Sequence, residues 1–176
     1  MLFFYDLGSP YAWLTAERID ALFGDGRVEW VPVLLGGIFK AAGRGSWAET
    51  EARADGIAEV ERRASSRGLP ALKWPSPWPN NGLYAMRVAA ALDSREFALE
   101  AFRMHFTEGL PLSEPSHVDE AARRVGFEPA IDKDRLRANT DLALSLGVFG
   151  VPSVVVGETV YWGDDRLEGA ASVLEQ

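Results

Sequence analysis

Strand-like patterning lies at the two ends of this chain and not between them, and that distribution constrains the fold more than any other feature. Near the N-terminus, "LFFYD" from Leu2 to Asp6 is a short apolar and aromatic run suited to a buried strand, and "VEWVPVLL" from Val28 to Leu35 is a second. Near the other end, "SVVV" and "TVYW" flank Gly157-Glu158, a two-residue hairpin connection with glycine where a type II′ turn requires it. After Gly36-Gly37 the pattern is helical for roughly a hundred residues, judged by the length of the periodic segments. This order implies one sheet built from both ends of the chain, with a helical insertion between its halves.

Local punctuation supplies the elements. Ser9-Pro10 offers a helix N-cap followed by the proline that favours the first helical position, so the first helix is predicted to start at Pro10. Ala12, Ala16, Ile19 and Phe23 recur at helical spacing, and Gly24-Asp25-Gly26 stops that helix before the second strand, whose pairing with the first is expected to be parallel. In the middle, Ser46 with Glu49 forms a capping box for a helix ending near Gly68. Asp93 with Glu96, and Ser116 with Asp119, carry the same start signal, while Gly126 and Gly147 read as C-terminal stops. Between them "LPALKWPSPWPNNG" is too rich in proline to be a helix interior. "DDRLEGAASVLEQ" closes the chain as a short helix. The layout is α/β, a thioredoxin-like fold with an inserted all-helical domain: residues 1–36 and 148–176 form the split thioredoxin-like domain, and residues 37–147 the insertion.

Composition narrows the chemistry. At 176 residues the chain is one folding unit with room for an insertion. Its formal charge of -8 argues against nucleic acid or an anionic membrane as a partner, both of which need a basic footprint. There is no cysteine, which removes disulfides, thiolate metal sites and a cysteine nucleophile, so any thiol used here must be borrowed. His105 and His117 lack metal-ligand spacing, no metal is expected, and no phosphate-binding glycine pattern is present. With neither a targeting segment nor an apolar stretch of membrane-spanning length, the expectation is a soluble cytoplasmic protein.

Four stretches carry a family resemblance: "FFYDLGSPYAWL", "LLGGIFKAAG", "KWPSPWPNNGLYAMR" and, most specifically, "GVFGVPSVVVGETVYWGDDRL". In that order they resemble the 2-hydroxychromene-2-carboxylate isomerases, glutathione-dependent relatives of kappa-class glutathione transferases and DsbA-type oxidoreductases. The resemblance implies a thioredoxin fold with a helical insertion, a homodimer, glutathione or another low-molecular-weight thiol as cofactor, and a small aromatic carboxylate as substrate.

Taken alone, Ser9 is a helix cap; the resemblance implies that it also stabilises the cofactor's thiolate, where helix N–H groups and a hydroxyl favour an anion. Val151-Pro152 would present a cis proline, with the Val151 backbone pairing to the cysteinyl part of glutathione as an added strand does. Asp165 matches the aspartate that faces the γ-glutamyl amine. Asp164 stands where the family carries a neutral polar residue, and it repels the γ-glutamyl carboxylate unless it turns away. Arg44 replaces an asparagine that contacts glutathione, and the helix segment "EARADG", with Asp55, replaces a basic and an aromatic residue. Arg44 would neutralise a glutathione carboxylate by a different contact.

Tyr11, Lys73, Trp74 and Asn80, together with Trp78, are the residues expected to supply a flat apolar wall and polar anchors for the aromatic acid. The reaction this implies is reversible thiolate addition, ring opening, cis-trans rotation and return of the thiol. A kappa-like transferase and a thioredoxin-like binding module without chemistry are the alternatives.

Overall fold

Both faces of the first strand are covered, which explains why its sequence is apolar without alternation. In the computed structural model, which describes residues 1–175, strands β1 (Leu2–Tyr5), β2 (Glu29–Pro32), β3 (Ser153–Val156) and β4 (Thr159–Trp162) form one sheet in the order β2-β1-β3-β4. The β1–β2 pair is parallel, with Leu2 opposite Glu29; the β1–β3 and β3–β4 pairs are antiparallel, with Leu2 opposite Val155 and Val154 opposite Tyr161. Gly157 turns the β3–β4 hairpin at a φ of 60°, as the two-residue connection requires. The two ends of the chain thus share a sheet.

Nine helices are present among the described residues: α1 (Pro10–Ala16), α2 (Ile19–Phe23), α3 (Leu35–Ala41), α4 (Arg53–Ser66), α5 (Leu83–Leu92), α6 (Arg95–Arg103), α7 (Pro115–Arg124), α8 (Lys133–Ser145) and α9 (Leu167–Ser172). One sheet face carries Phe4, Val31 and Val155 and packs with Ile38 of α3 and Ala143 of α8. The other carries Phe3, Tyr5, Trp30 and Val154 and shares its core with α1, α5, α6 and α9, the Tyr5 and Phe102 rings lying 5.9 Å apart. Hydrophobic burial therefore runs without a gap from the sheet into the helical middle of the chain.

Several helix boundaries differ from the local signals, each for a tertiary reason. The first helix breaks after Ala16, where Glu17 pairs with Arg103 of α6 and Arg18 with Glu168 of α9. Ser46 does not start the long helix: its Oγ accepts from Ala48 N at 3.1 Å and caps a 3₁₀ turn over Trp47–Glu49, four residues short of α4 at Arg53. Trp47 folds back over Gly56, where a Cβ would lie 2.2 Å from the ring; one continuous helix would hold the two residues about 13 Å apart. Asp93 ends α5 in the left-handed region at a φ of 49°, and Ser94 is the cap of α6, accepting from Phe97 N at 3.2 Å. Ser116 lies inside the first turn of α7, which starts at Pro115 behind Glu114. The closing helix begins at Leu167, after Asp164 and Asp165, and Gln176 lies outside the described residues. Glycines 126 and 147 end their helices at φ values of 85° and 81°. Among the described residues no helix is long and apolar enough to cross a membrane.

Candidate functional site

The turn after β1 is built by hydrogen bonds to its own first residue. Ser9 N donates to Asp6 O at 3.0 Å, and Ser9, extended at a ψ of 116°, turns its Oγ back to accept from Ala12 N at 3.2 Å, capping α1. The hydroxyl proton has no acceptor among the described residues and is free to donate. Asp6, which the motif reading passes over, accepts from Gly8 N through Oδ1 and from Leu35 N through Oδ2, each at 2.9 Å. Burial pushes its carboxyl up, and the Leu35 and Gly8 N–H groups oppose that shift.

The second wall comes from the far end of the chain. Val151-Pro152 is cis, as expected, and among the described residues no main-chain hydrogen bond engages Val151, which leaves its backbone N–H and C=O open. Pro152 O accepts from Gly163 N at 2.9 Å, which joins this loop to the "YWGDD" turn. Gly163 sits at a φ of 107° with Asp165 Oδ1 2.5 Å from where a Cβ would stand, so both backbone and space call for glycine.

The adjacent aspartates have different surroundings. Asp165 is exposed. Asp164 is 1% exposed, with Arg63 Nη1 2.5 Å from Oδ1 and Arg67 Nη2 2.5 Å from Oδ2, the second contact close but not aligned as a hydrogen bond. Burial alone would lower the Arg63 pKa; the hydrogen bond to Glu59 and the charge of Asp164 outweigh it and raise it. Arg63 Cζ lies 5.5 Å from the centre of the Tyr11 ring. The Tyr11 phenol is pushed up chiefly by burial, with the Arg63 charge pulling the other way.

These walls enclose a cavity of about 470 Å³ that brings Ser9, Tyr11, Arg44, Val151, Pro152, Asp164 and Asp165 together, though they come from segments far apart in sequence. Lys73, Trp74 and Asn80 do not line it. Trp74 Nε1 donates to Glu61 Oε1 at 2.8 Å, Asn80 Nδ2 donates to Pro77 O at 2.9 Å, and Lys73 N donates to Phe106 O at 2.8 Å, so this loop is folded on itself and on the wide helical turn over Met104–Glu108. Trp78 is the loop's inward ring, 7% exposed, and it meets Trp47 at 5.5 Å. Tyr11, Trp47 and Trp78 form the aromatic wall. Trp47 and Arg63 carry no local signal of this role, because helical packing brings them here.

Arg44 stands at the mouth among three rings, with Cζ 5.3 Å from the centre of Phe39, 5.7 Å from Phe149 and 5.0 Å from Trp162. Among the described residues no carboxylate pairs with it, so its N–H edge is free for an anion. Gly150 leaves the cage its space: a Cβ there would lie 2.6 Å from Trp162 Nε1 and 3.1 Å from Arg44 Nη2.

Comparison with known proteins places this geometry in context. The DSBA-like thioredoxin domain family matches residues 1–175. A 2-hydroxychromene-2-carboxylate isomerase structure superposes with a TM-score of 0.83 at 22% sequence identity, covering 99% of this chain and 95% of that one. A probable DsbA oxidoreductase from Streptomyces coelicolor superposes with a TM-score of 0.73 at 18% identity, covering 99% of this chain and 88% of that one. No curated protein matches the sequence. At these identities the structural likeness establishes the fold.

Proposed function

Since the chain belongs to the family of DSBA-like thioredoxin domains, we propose that it is a thiol-dependent isomerase of an aromatic carboxylate of the 2-hydroxychromene-2-carboxylate kind, with glutathione or another low-molecular-weight thiol as cofactor. The observation that carries this reading is the meeting of a free Ser9 hydroxyl and an open Val151 backbone edge in one cavity of a chain without cysteine. Thiol-disulfide exchange by the protein's own side chains is therefore closed to it, and the cavity is the place where a visiting thiol would sit.

The residues fit a peptide thiol. Val151 would pair with its main chain, Ser9 would donate to the sulfur, Asp165 would face an amine, and Arg44 would take a carboxylate. Asp164 has its charge committed to Arg63 and Arg67, and its part is to hold the "GDD" turn against α4. When bound, the thiol supplies a nucleophile that adds to a conjugated carbon, lets the ring open and the double-bond system rotate, and leaves unchanged. Ser9 stabilises negative charge on the sulfur, which raises the fraction of reactive thiolate. Tyr11, Trp47 and Trp78 hold the flat substrate and keep water from its face. The same reading includes pairing of two copies, for which Leu142, Leu146, Phe149 and Trp162 offer exposed apolar surface.

The test is a thermal-shift titration with glutathione and other small thiols, followed by product analysis with the aromatic acid. A thiol at a hundred times its dissociation constant stabilises the fold by about 2.7 kcal/mol. Isomerised product with the thiol recovered supports the reading. A stable thioether product would replace it with a transferase, and the absence of both binding and turnover would leave a binding module.

A further inference from the structure

Asp6 is a buried carboxylate, 8% exposed, and the groups that hold it are main-chain N–H groups rather than a cation. Such a group is costly to bury unless its hydrogen bonds are complete, and here both oxygens are used. Oδ1 takes Gly8 N and Oδ2 takes Leu35 N, while the Asp6 carbonyl takes Ser9 N. Gly8, Ser9 and Leu35 all line the cavity, the first two from the turn after β1 and the third from the corner where β2 runs into α3. One side chain therefore fastens two walls of the site. Gly8 admits the contact closely, since a Cβ there would lie 3.3 Å from Oδ1.

We propose that Asp6 is a positioning residue of this site: without touching the ligand, its carboxylate ties the Ser9 turn to the β2–α3 corner and sets the geometry and the local charge at position 9. The tie fixes where the Ser9 hydroxyl points. The charge opposes a second anion nearby, so it holds the pKa of a thiol at position 9 above the value that the helix N-terminus alone would set. The consequence for turnover rests on the proposed isomerase reading; the effect on position 9 does not.

Because the chain has no cysteine, Ser9→Cys introduces a sole thiol whose alkylation rate against pH reports on position 9 without any assumption about activity. In that background Asp6→Asn removes the like charge and should move the alkylation midpoint down by about half a pH unit or more, roughly a threefold change in thiolate fraction. The other charges lining the cavity, Arg44, Arg63, Arg166, Asp164 and Asp165, stay in place, as does the neighbouring Tyr5 phenol. Thr140→Val is the control, because Thr140 Oγ1 accepts from Leu34 N at 3.0 Å, one residue from the tie, and carries no charge. It should lower stability and leave the midpoint unmoved. Asp6→Ser, smaller and neutral, serves if Asp6→Asn does not fold.

With Ser9 intact, Asp6→Asn leaves one of the Gly8 and Leu35 N–H groups without its acceptor, and the misplaced Ser9 hydroxyl should lower thiol-dependent kcat by about tenfold at a temperature where the variant is fully folded, with KM for the aromatic acid unchanged and Thr140→Val near wild type. A midpoint that stays put in the Asp6 variants, or moves equally in Thr140→Val, overturns the proposal. So does wild-type kcat in folded Asp6→Asn. If the wild-type protein shows no thiol-dependent turnover, the isomerase reading falls and the alkylation profile still decides the role of Asp6.

Discussion

Ser9 caps a helix and lines a cavity, and two substitutions separate those roles. Glycine is tolerated at an N-cap, so Ser9→Gly should stay within a few tenths of a kcal/mol of wild-type stability, whereas Ser9→Ala should lose about 1 kcal/mol. Both should lose about tenfold or more in thiol-dependent isomerisation, equivalent to about 1.4 kcal/mol, if the hydroxyl holds the sulfur. Full activity in folded Ser9→Gly would reduce the residue to a cap. Asp164 poses a different question, since repulsion of a ligand carboxylate would make Asp164→Asn bind a thiol more tightly. Its charge is instead shared between Arg63 and Arg67, so Asp164→Asn leaves Arg67 without its counter-ion and Arg63 with Glu59 alone. We expect a loss of about 2 kcal/mol, less than for a fully buried pair because the arginines reach solvent, with thiol binding unchanged or weaker. Urea denaturation and calorimetry check the two halves of that statement, and tighter binding would refute the second.

At the scale of elements, the wide turn over Met104–Glu108 buries His105 completely, with Nδ1 bonded to Leu110 O at 2.9 Å and Nε2 without a partner. Desolvation pulls its pKa down to about 4, against a smaller upward effect of the Leu110 bond. Between the ordinary value of 6.5 and about 4 the unfolded chain holds the proton and the folded one does not. The contribution of this group to stability is therefore complete above that window and lost as pH falls through it, about 3 kcal/mol in all. Asp6, with its pKa raised by burial, acts in the opposite sense. The urea midpoint should fall on acidification across the His105 window, and His105→Gln, which does not titrate there, should flatten that slope. Helix α4 offers a second test through Gly56. Alanine improves helix propensity by about 1 kcal/mol, yet its Cβ would stand 2.2 Å from the Trp47 ring. Displacement of Trp47 should dominate, so Gly56→Ala should lose about 1–3 kcal/mol and shift tryptophan fluorescence. A stabilised Gly56→Ala would mean that Trp47 does not pack there.

For the whole molecule, the exposed apolar side chains Leu142, Leu146, Phe149 and Trp162 bear on assembly. If two copies pair through them, sedimentation should give twice the 19.3 kDa chain mass, and Leu142→Glu should yield a folded monomer; a monomeric wild type would remove the homodimer from the proposed function. The sheet at the centre of the molecule was legible in sequence because it depends on short-range rules. Apolar runs and the Gly157-Glu158 connection mark β1 to β4, Ser9-Pro10 starts α1 at Pro10, and glycine alone accepts the backbone at 126, 147 and 157 at little cost. The meeting of Ser9 with Val151-Pro152 was likewise legible, through motifs at the two ends of the chain. What sequence could not decide depends on which distant surfaces touch. Asp164 finds Arg63 across 101 positions and Asp6 finds Leu35 across 29. The break between α1 and α2 follows ion pairs to α6 and α9, and the choice of Trp78 over Trp74 as the inward ring follows the folding of a loop onto its neighbours. Local propensities amount to tenths of a kcal/mol per residue, whereas burying an aromatic ring or pairing a buried charge is worth several times more. Where the two compete, tertiary packing sets the boundary and the partner.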